Sequence, residues 1–195
     1  ANITYSRITD NGHGVFMGNS SNVSISQSTI SNNGLSVYGT GIFMVQGSTL
    51  DVTNSILYSN SYGDDDFEIG FADAYDPNSV TVSYSNIGSV NTNDNGTASF
   101  GDGYISVDPQ FVDATAGNYS LMVSSPCIDA GDPASEFDPD ETTADMGAYY
   151  FDQDIYDPGC MDETAQNYDE DANIDLWCIY GPSFISIYDA PDDQG

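Results

Sequence analysis

Positive charge is almost absent from this chain. Arg7 is the only Lys or Arg among 195 residues, against 31 Asp and Glu, which gives a formal net charge of −30. With one cation available, internal salt bridges cannot neutralise the carboxylates, so they must be hydrated, screened by salt or bound to metal. At about 0.15 M ionic strength charges are screened over roughly 8 Å, so saline surroundings relieve much of the self-repulsion. A marine or halophilic extracellular setting, calcium, or both are therefore expected. Phosphate backbones are held by Lys and Arg, so nucleic acid is excluded as a partner, and anionic membranes and polyanionic glycans are disfavoured by the same charge. No apolar run approaches the roughly 20 residues of a membrane span, so no direct membrane insertion is expected. No secretory signal is visible; the chain opens with Ala1 rather than Met and reads as a piece of a longer protein.

Histidine and cysteine are scarce as well. One histidine, His13, excludes a His-based zinc site. Of three cysteines, Cys160 and Cys178 flank one short acidic segment, while Cys127 stands alone in an apolar stretch. One disulfide, 160–178, is expected, with Cys127 buried and free or else paired outside this chain. A structural disulfide implies an oxidising compartment.

What the chain does have is a core-forming fraction of 39% hydrophobic residues and an internal repeat. Units beginning at Ala1, Val23, Leu50 and Val80 carry apolar residues at offsets 0, 2 and 7: Ile3 and Ile8, Ile25 and Ile30, Val52 and Leu57, Val82 and Ile87. The i, i+2 pair is strand periodicity, and the step to offset 7 requires a bend before the chain turns inward again. The units start 22, 27 and 30 residues apart, a suitable length for one coil of a parallel β-helix. Asparagine recurs three residues after offset 7, at Asn11, Asn33 and Asn60, and predicts a coil-to-coil amide ladder; Val90 stands there in the fourth unit and ends it. Gly14-Val15-Phe16-Met17 and Gly41-Ile42-Phe43-Met44 mark a further strand, each nine residues before the next unit. No sustained helical periodicity is present, and a β-sandwich of short strands is the alternative that the shared register disfavours. Residues 61–79, opening with Gly63-Asp64-Asp65-Asp66, and residues 88–103 read as long excursions from the repeat.

From about residue 104 the repeat lapses. Ile105-Ser106-Val107-Asp108-Pro109-Gln110-Phe111, Tyr119-Ser120-Leu121, Ser125-Pro126-Cys127-Ile128-Asp129-Ala130-Gly131 and Ala144-Asp145-Met146-Gly147-Ala148-Tyr149 follow in order. This resembles the closing segment of bacterial right-handed parallel β-helix proteins of the choice-of-anchor Q type, over about residues 1–152. The resemblance implies a secreted, surface-attached protein and no particular activity. Phe111, Leu121, Ile128 and Met146 are suited to plug the open end of the last coil. Asp129 and Asp145, each beside a small residue and a glycine, are read as acceptors for backbone amides at tight turns.

A second change comes at Gly159. The stretch from Gly159-Cys160-Met161-Asp162 to Asn167-Tyr168-Asp169 and Cys178 resembles short Gly-Cys-Thr-Asp … Asn-Tyr-Asp … Cys modules near the C-termini of secreted bacterial proteins. Leu176-Trp177 replaces the usual Gly-Ser before the last cysteine. The module offers Asp162, Asn167, Asp169, Asp171, Asn173 and Asp175, alternate oxygen donors of the kind a Ca²⁺ ion takes. The other reading is a solvated acidic loop held by its disulfide.

The expected fold is therefore all-β: a right-handed parallel β-helix (solenoid) with a C-terminal cap and a small disulfide-closed acidic module. The divisions are coils 1–103, cap 104–152, module 153–180 and a linker 181–195 running to an absent region. Gly12-His13-Gly14 matches one element of glycan hydrolases of this fold, but the basic element that should follow is missing, and Tyr38-Gly39-Thr40-Gly41 fills the same slot one unit on. Lyases of the fold need Arg or Lys for proton abstraction. The expectation is a non-catalytic extracellular, cell-surface structural or adhesive β-helix protein, with calcium as a candidate stiffener of its acidic loops, whose partner is a glycan or a surface protein. The alternatives are a glycan-cleaving enzyme with its active site upstream of Ala1, and a self-assembling subunit of an extracellular filament or secretion-associated assembly.

Overall fold

The computed structural model describes residues 1–34, 41–60, 67–72, 76–91, 96–155, 158–175 and 177–181. The excursion at Gly63–Asp66, the Tyr38-Gly39-Thr40 turn, Leu176 and the linker from residue 182 onward lie outside the described residues. The chain divides into two compact units, Ala1–Phe151 and Asp152–Gly195.

In the first unit the repeat becomes coils of a right-handed parallel β-helix. The first coil holds β1 (Asn2–Thr4), β2 (Arg7–Thr9) and β3 (Val15–Met17), and the second β4 (Asn22–Ser26), β5 (Thr29–Ser31) and β6 (Ile42–Met44). The third holds β7 (Thr49–Thr53), β8 (Ile56–Tyr58) and β9 (Ile69–Phe71), and the fourth β10 (Asn78–Ser83), β11 (Asn86–Ile87) and β12 (Val90–Asn91). β13 (Gly96–Phe100) opens a fifth. Stacking gives three parallel sheets in the orders β1-β4-β7-β10-β13, β2-β5-β8-β11 and β3-β6-β9-β12. Offset pairs with offset: Val23 lies on Leu50 and Leu50 on Val80, Ile25 on Val52 and Val52 on Val82. Ile25, Ile30, Leu50, Val52, Leu57, Val82 and Ile87 form one buried column with Met17, Met44 and Ile69, each worth roughly 1.5–3 kcal/mol of burial.

Residues 88–103 differ from the excursion expected of them, because β12 and β13 fall within this stretch. The fifth coil escaped the pattern because its inward positions are Ala98 and Phe100, paired with Val80 and Val82, so only a small residue stands at offset 0. A side chain on Gly96 would meet the Asn78 carbonyl at 2.4 Å and the Phe71 ring at 2.7 Å. Tyr104, whose ring lies 4.3 Å from that of Phe100, packs against the core column there.

The corners are fixed by polar side chains. Offset 4 is occupied by Tyr5, Gln27, Asn54 and Tyr84, all left-handed with φ between 41° and 50°, a conformation costing about 1 kcal/mol or more for a residue with a Cβ. Serine follows at offset 5 in every unit. Ser28, Ser55 and Ser85 each donate to the carbonyl two residues back at 2.8 Å. They accept the N–H of Ser6, Ser28 and Ser55 from the preceding coil at 3.1–3.2 Å. At the next corner the Asn11 Nδ2 donates to Asn33 Oδ1 at 3.1 Å and Asn33 Nδ2 to Asn60 Oδ1 at 2.8 Å. The backbone N–H of Asn11 and of Asn33 reaches the same two oxygens. Asn60 in turn donates its N–H and Nδ2 to Glu68 Oε2 at 3.1 and 2.5 Å. A buried carboxylate thus stands where a further asparagine oxygen would, and charge-assisted bonds of this kind are among the stronger ones.

Tyr104 packs on the core column and Ile105 pairs with Asn86 at the edge of the second sheet, but residues 107–151 do not plug the end of the core. They run along the outer face of the second sheet, whose outward row is Arg7, Thr29, Ile56 and Asn86. Every member of that row is engaged. Arg7 donates to the Gly117 carbonyl at 2.8 Å and lies over the Tyr119 ring. Thr29 accepts the Ala148 N–H at 3.0 Å. Asn86 exchanges hydrogen bonds with the Val107 backbone. Ile56 is fully buried in a second apolar cluster with Leu121, Cys127, Met146 and Phe151, flanked by Phe111 and Ile128. The four residues expected to close the solenoid therefore cover its flank. β14 (Phe111–Asp113), a 3₁₀ turn at Ala114–Ala116 and β15 (Asn118–Leu121) form an antiparallel hairpin within this segment. Asn54 anchors the rest, donating to Ser135 Oγ and accepting the Asp132 N–H. Gly147, at φ 106°, donates to the Asn54 carbonyl, and a Cβ there would meet Ile56 Cδ1 at 2.9 Å.

The second unit has little regular structure: a 3₁₀ turn at Gln153–Ile155 and a parallel pair of two-residue strands, β16 (Pro158–Gly159) and β17 (Ile174–Asp175). Cys160 and Cys178 are joined by a disulfide, and Cys127 of the first unit is free and buried.

Candidate functional site

The offset-4 corner and the covering segment together make a cleft of about 330 Å³. Tyr5 and Gln27, held outward by their left-handed backbone, form one wall; Glu136, Phe137, Asp138, Pro139 and Tyr150 form the other, with Asp145 and Gly147 below. Asp145 is only 4% exposed. Its Oδ1 accepts the Asp129 N–H at 2.7 Å and its Oδ2 the Phe151 N–H at 2.5 Å. Asp138 Oδ2 accepts the Asp145 N–H at 2.7 Å. These bonds tie residues 129, 138, 145 and 151 into one rigid base. Burial pushes the Asp145 carboxyl up to about 6, against the pull of the Phe151 and Asp129 N–H groups. Burial also raises Asp138, opposed by the Asp145 N–H and helped by the charges of Asp140 and Asp129.

An acid whose folded pKa exceeds its unfolded value binds its proton more tightly when folded, so stability falls as pH rises between the two. For Asp145 the window runs from 3.8 to about 6, and the full effect is about 3 kcal/mol. Chemical denaturation of Asp145→Asn and the parent at pH 4, 5, 6 and 7 should therefore show the parent losing stability relative to the variant across pH 4–6. The difference should be level above pH 6.5. A difference independent of pH would mean that Asp145 ionises without penalty.

Other residues singled out from the sequence lie elsewhere in the first unit. Asn11, Asn33 and Asn60 are joined in series along one corner. His13 stacks on the Phe43 ring, centroids 5.4 Å apart, beside the outward pair Phe16 and Phe43. The Cys127 thiol, raised by burial and 3.2 Å from Asn86 Nδ2, is packed as a small apolar side chain.

The acidic module uses its oxygens largely for its own turns. Asp162 Oδ1 accepts from Thr164 Oγ1 and N, and Oδ2 from the Tyr180 hydroxyl, which hold its carboxyl below the usual carboxylate range. Asn167 bonds the Trp177 carbonyl and the Ile179 N–H, bracketing Cys178. Asp169 Oδ1 accepts the Asp171 N–H, and Asn173 Nδ2 donates to the Ile155 carbonyl. Asp175 lies in β17. Among the described residues no three His, Cys, Asp or Glu side chains are grouped as a metal ion would require.

The cleft and the serine ladder were missed from sequence. The ladder had a signal, serine at offset 5 in all four units. The cleft had none, since Gln27 and Phe137 lie far apart in the chain and meet only because the segment folds back.

Residues 1–96 match the family described as "Right handed beta helix region", in agreement with the three stacked parallel sheets. No curated protein and no solved structure gives a significant match to the chain. The disulfide and the β-helix fold fit an extracellular protein. No helix of the described residues is long and apolar enough to cross a membrane.

Proposed function

We propose that the chain is a non-catalytic part of an extracellular, surface-attached β-helix protein, a stiff rod that holds adhesive side chains in fixed positions. The observation that carries this reading is the double locking of the coils. Buried serine and asparagine ladders join coil to coil, and a covering segment spans the outward row from Arg7 to Asn86. Such a scaffold resists bending and leaves its corners to present side chains. The likeness of residues 105–149 to the closing segments of choice-of-anchor Q proteins supports surface attachment, and the reading does not depend on a metal. The partner in this reading is a glycan, since exposed aromatics beside carboxylates suit neutral sugars.

The test is incubation of the chain with insoluble neutral and acidic polysaccharides, recording both retention and release of reducing ends or unsaturated products. Retention on a neutral polymer without product is the expected result. Product release in proportion to protein would replace this reading with a glycan-cleaving enzyme, and no retention on any neutral polymer would remove the glycan partner.

A further inference from the structure

The cleft between the offset-4 corner and the covering segment combines three features that point to one ligand chemistry. Its size, about 330 Å³, falls at the lower end of the roughly 300–1,000 Å³ of small-molecule sites. It is bordered by aromatic side chains left open to solvent: Tyr5 is 68% and Phe137 66% exposed, with Tyr150 beside them. Large aromatics are ordinarily withdrawn from water, and several around one concavity mark a binding surface. Its polar groups are Gln27, Glu136, Asp138 and the buried Asp145, with no cation among them. The chain's one Arg is committed elsewhere, to the Gly117 carbonyl and the Tyr119 ring.

A uronate or sulfated sugar would meet carboxylates and no cation here and be repelled. An uncharged sugar would not. Its hydroxyls can donate to carboxylate oxygens, the Gln27 amide can both donate and accept, and its C–H faces can lie on the rings. The site is also pre-organised. Gln27 sits on a corner locked through Ser28, and Asp138 and Asp145 are fixed by their bonds to residues 145, 129 and 151, so little ordering accompanies binding.

We propose that this cleft binds an uncharged pyranose, with Tyr5, Phe137 and Tyr150 offering apolar faces and Gln27, Glu136 and Asp138 bonding its hydroxyls. The proposal rests on the adhesive reading above and adds to it the place and the chemistry of the contact. The occupied site is the end or a short stretch of a neutral chain, because a cleft of about 330 Å³ holds only a short length of it.

The experiment is calorimetric or NMR titration of the whole chain with maltotriose, cellotriose, xylotriose and N-acetylchitotriose, with trigalacturonate and tetramethylammonium as charged controls. At least one neutral trisaccharide should bind with millimolar or better affinity and trigalacturonate should not. Tyr5→Ala and Phe137→Ala should each weaken binding about tenfold with the thermal midpoint unchanged, since both side chains are exposed, and Gln27→Leu should weaken it with the rings intact. Binding that both aromatic variants leave unaltered overturns the proposal, as does tetramethylammonium binding in preference to every sugar. If polysaccharide retention persists in Phe137→Ala and Tyr5→Ala, the cleft is not the contact while the adhesive reading stands. If the unaltered chain is not retained at all, the adhesive reading falls first.

Discussion

Asn60→Ala should lower the unfolding free energy of the β-helix unit by about 3–5 kcal/mol, well beyond the roughly 1 kcal/mol of an ordinary substitution. Asn60 is fully buried, and its amide bonds both within its own coil and to the coil before it. Its Oδ1 accepts both the N–H and the Nδ2 of Asn33, while its Nδ2 donates to the Ile30 carbonyl and to Glu68. Alanine removes all four bonds: the buried Asn33 N–H is orphaned and the buried Glu68 carboxylate loses one of its donors, while Asn33 Nδ2 keeps the Ile8 and Ser31 carbonyls. An orphaned buried group costs on the order of 1–3 kcal/mol, and the Asn60 amide is packed closely against Gly41. Asn11→Ala is the internal control. Asn11 is exposed at the end of the same ladder, so its loss should cost under about 1 kcal/mol. Urea denaturation followed by tyrosine fluorescence measures both. Equal effects at positions 11 and 60 would show that the ladder contributes through local turn geometry instead of coil-to-coil bonding.

Ladder and column were legible in the sequence for a common reason. A solenoid repeats its environment, so each inward or corner position imposes its residue type on successive units, and four copies of apolar residues at offsets 0, 2 and 7 cannot be mistaken for helix. The serine row met the same test and was passed over because serine is frequent in the chain and reads as an outward polar residue. Its burial becomes evident only once the left-handed residue before it turns the chain. The flank cover was illegible for a different reason. Residues 104–151 do not repeat, and an apolar, non-repeating tail after a solenoid suits an end plug and a lateral cover equally well. One local sign favoured the cover. Ile56 and Leu57 are adjacent, and on a strand only one of them can face the core, so an apolar residue pointed outward from the second sheet and required something to bury it. The candidate cleft depends on that placement: Tyr5 and Gln27 are ordinary corner residues until Phe137, Asp138 and Tyr150 are brought beside them.

Reduction of the 160–178 disulfide should unfold the second unit and leave the first unchanged. Among the described residues of the second unit only Cys160 and Ala172 are buried apolar side chains, and its two paired strands are two residues long each. A core of that size cannot offset the entropy of ordering the surrounding chain. The disulfide closes a separation of 18 residues, which in the chain-entropy account stabilises by roughly 3 kcal/mol, as much as so small a unit has to lose. The backbone bonds that set the fold, Asp169 N–H to the Cys160 carbonyl and Gln166 N–H to the Ile179 carbonyl, lie beside the two cysteines and lose their alignment when the link opens. The first unit contains no disulfide, since Cys127 is free, and its ladders and apolar columns do not depend on redox state. Limited proteolysis with and without reductant, repeated on Cys160→Ser, should give rapid cleavage between residues 158 and 180 with the urea midpoint of the first unit unmoved. Persistence of the protease-resistant module after reduction would mean that its turns, those of Asp162 and Asn167 foremost, hold it without the covalent link. Loss of both units together would mean that the β-helix relies on the module for its stability. Under the expected outcome the module is folded only where thiols stay oxidised, and the compartment then sets its state.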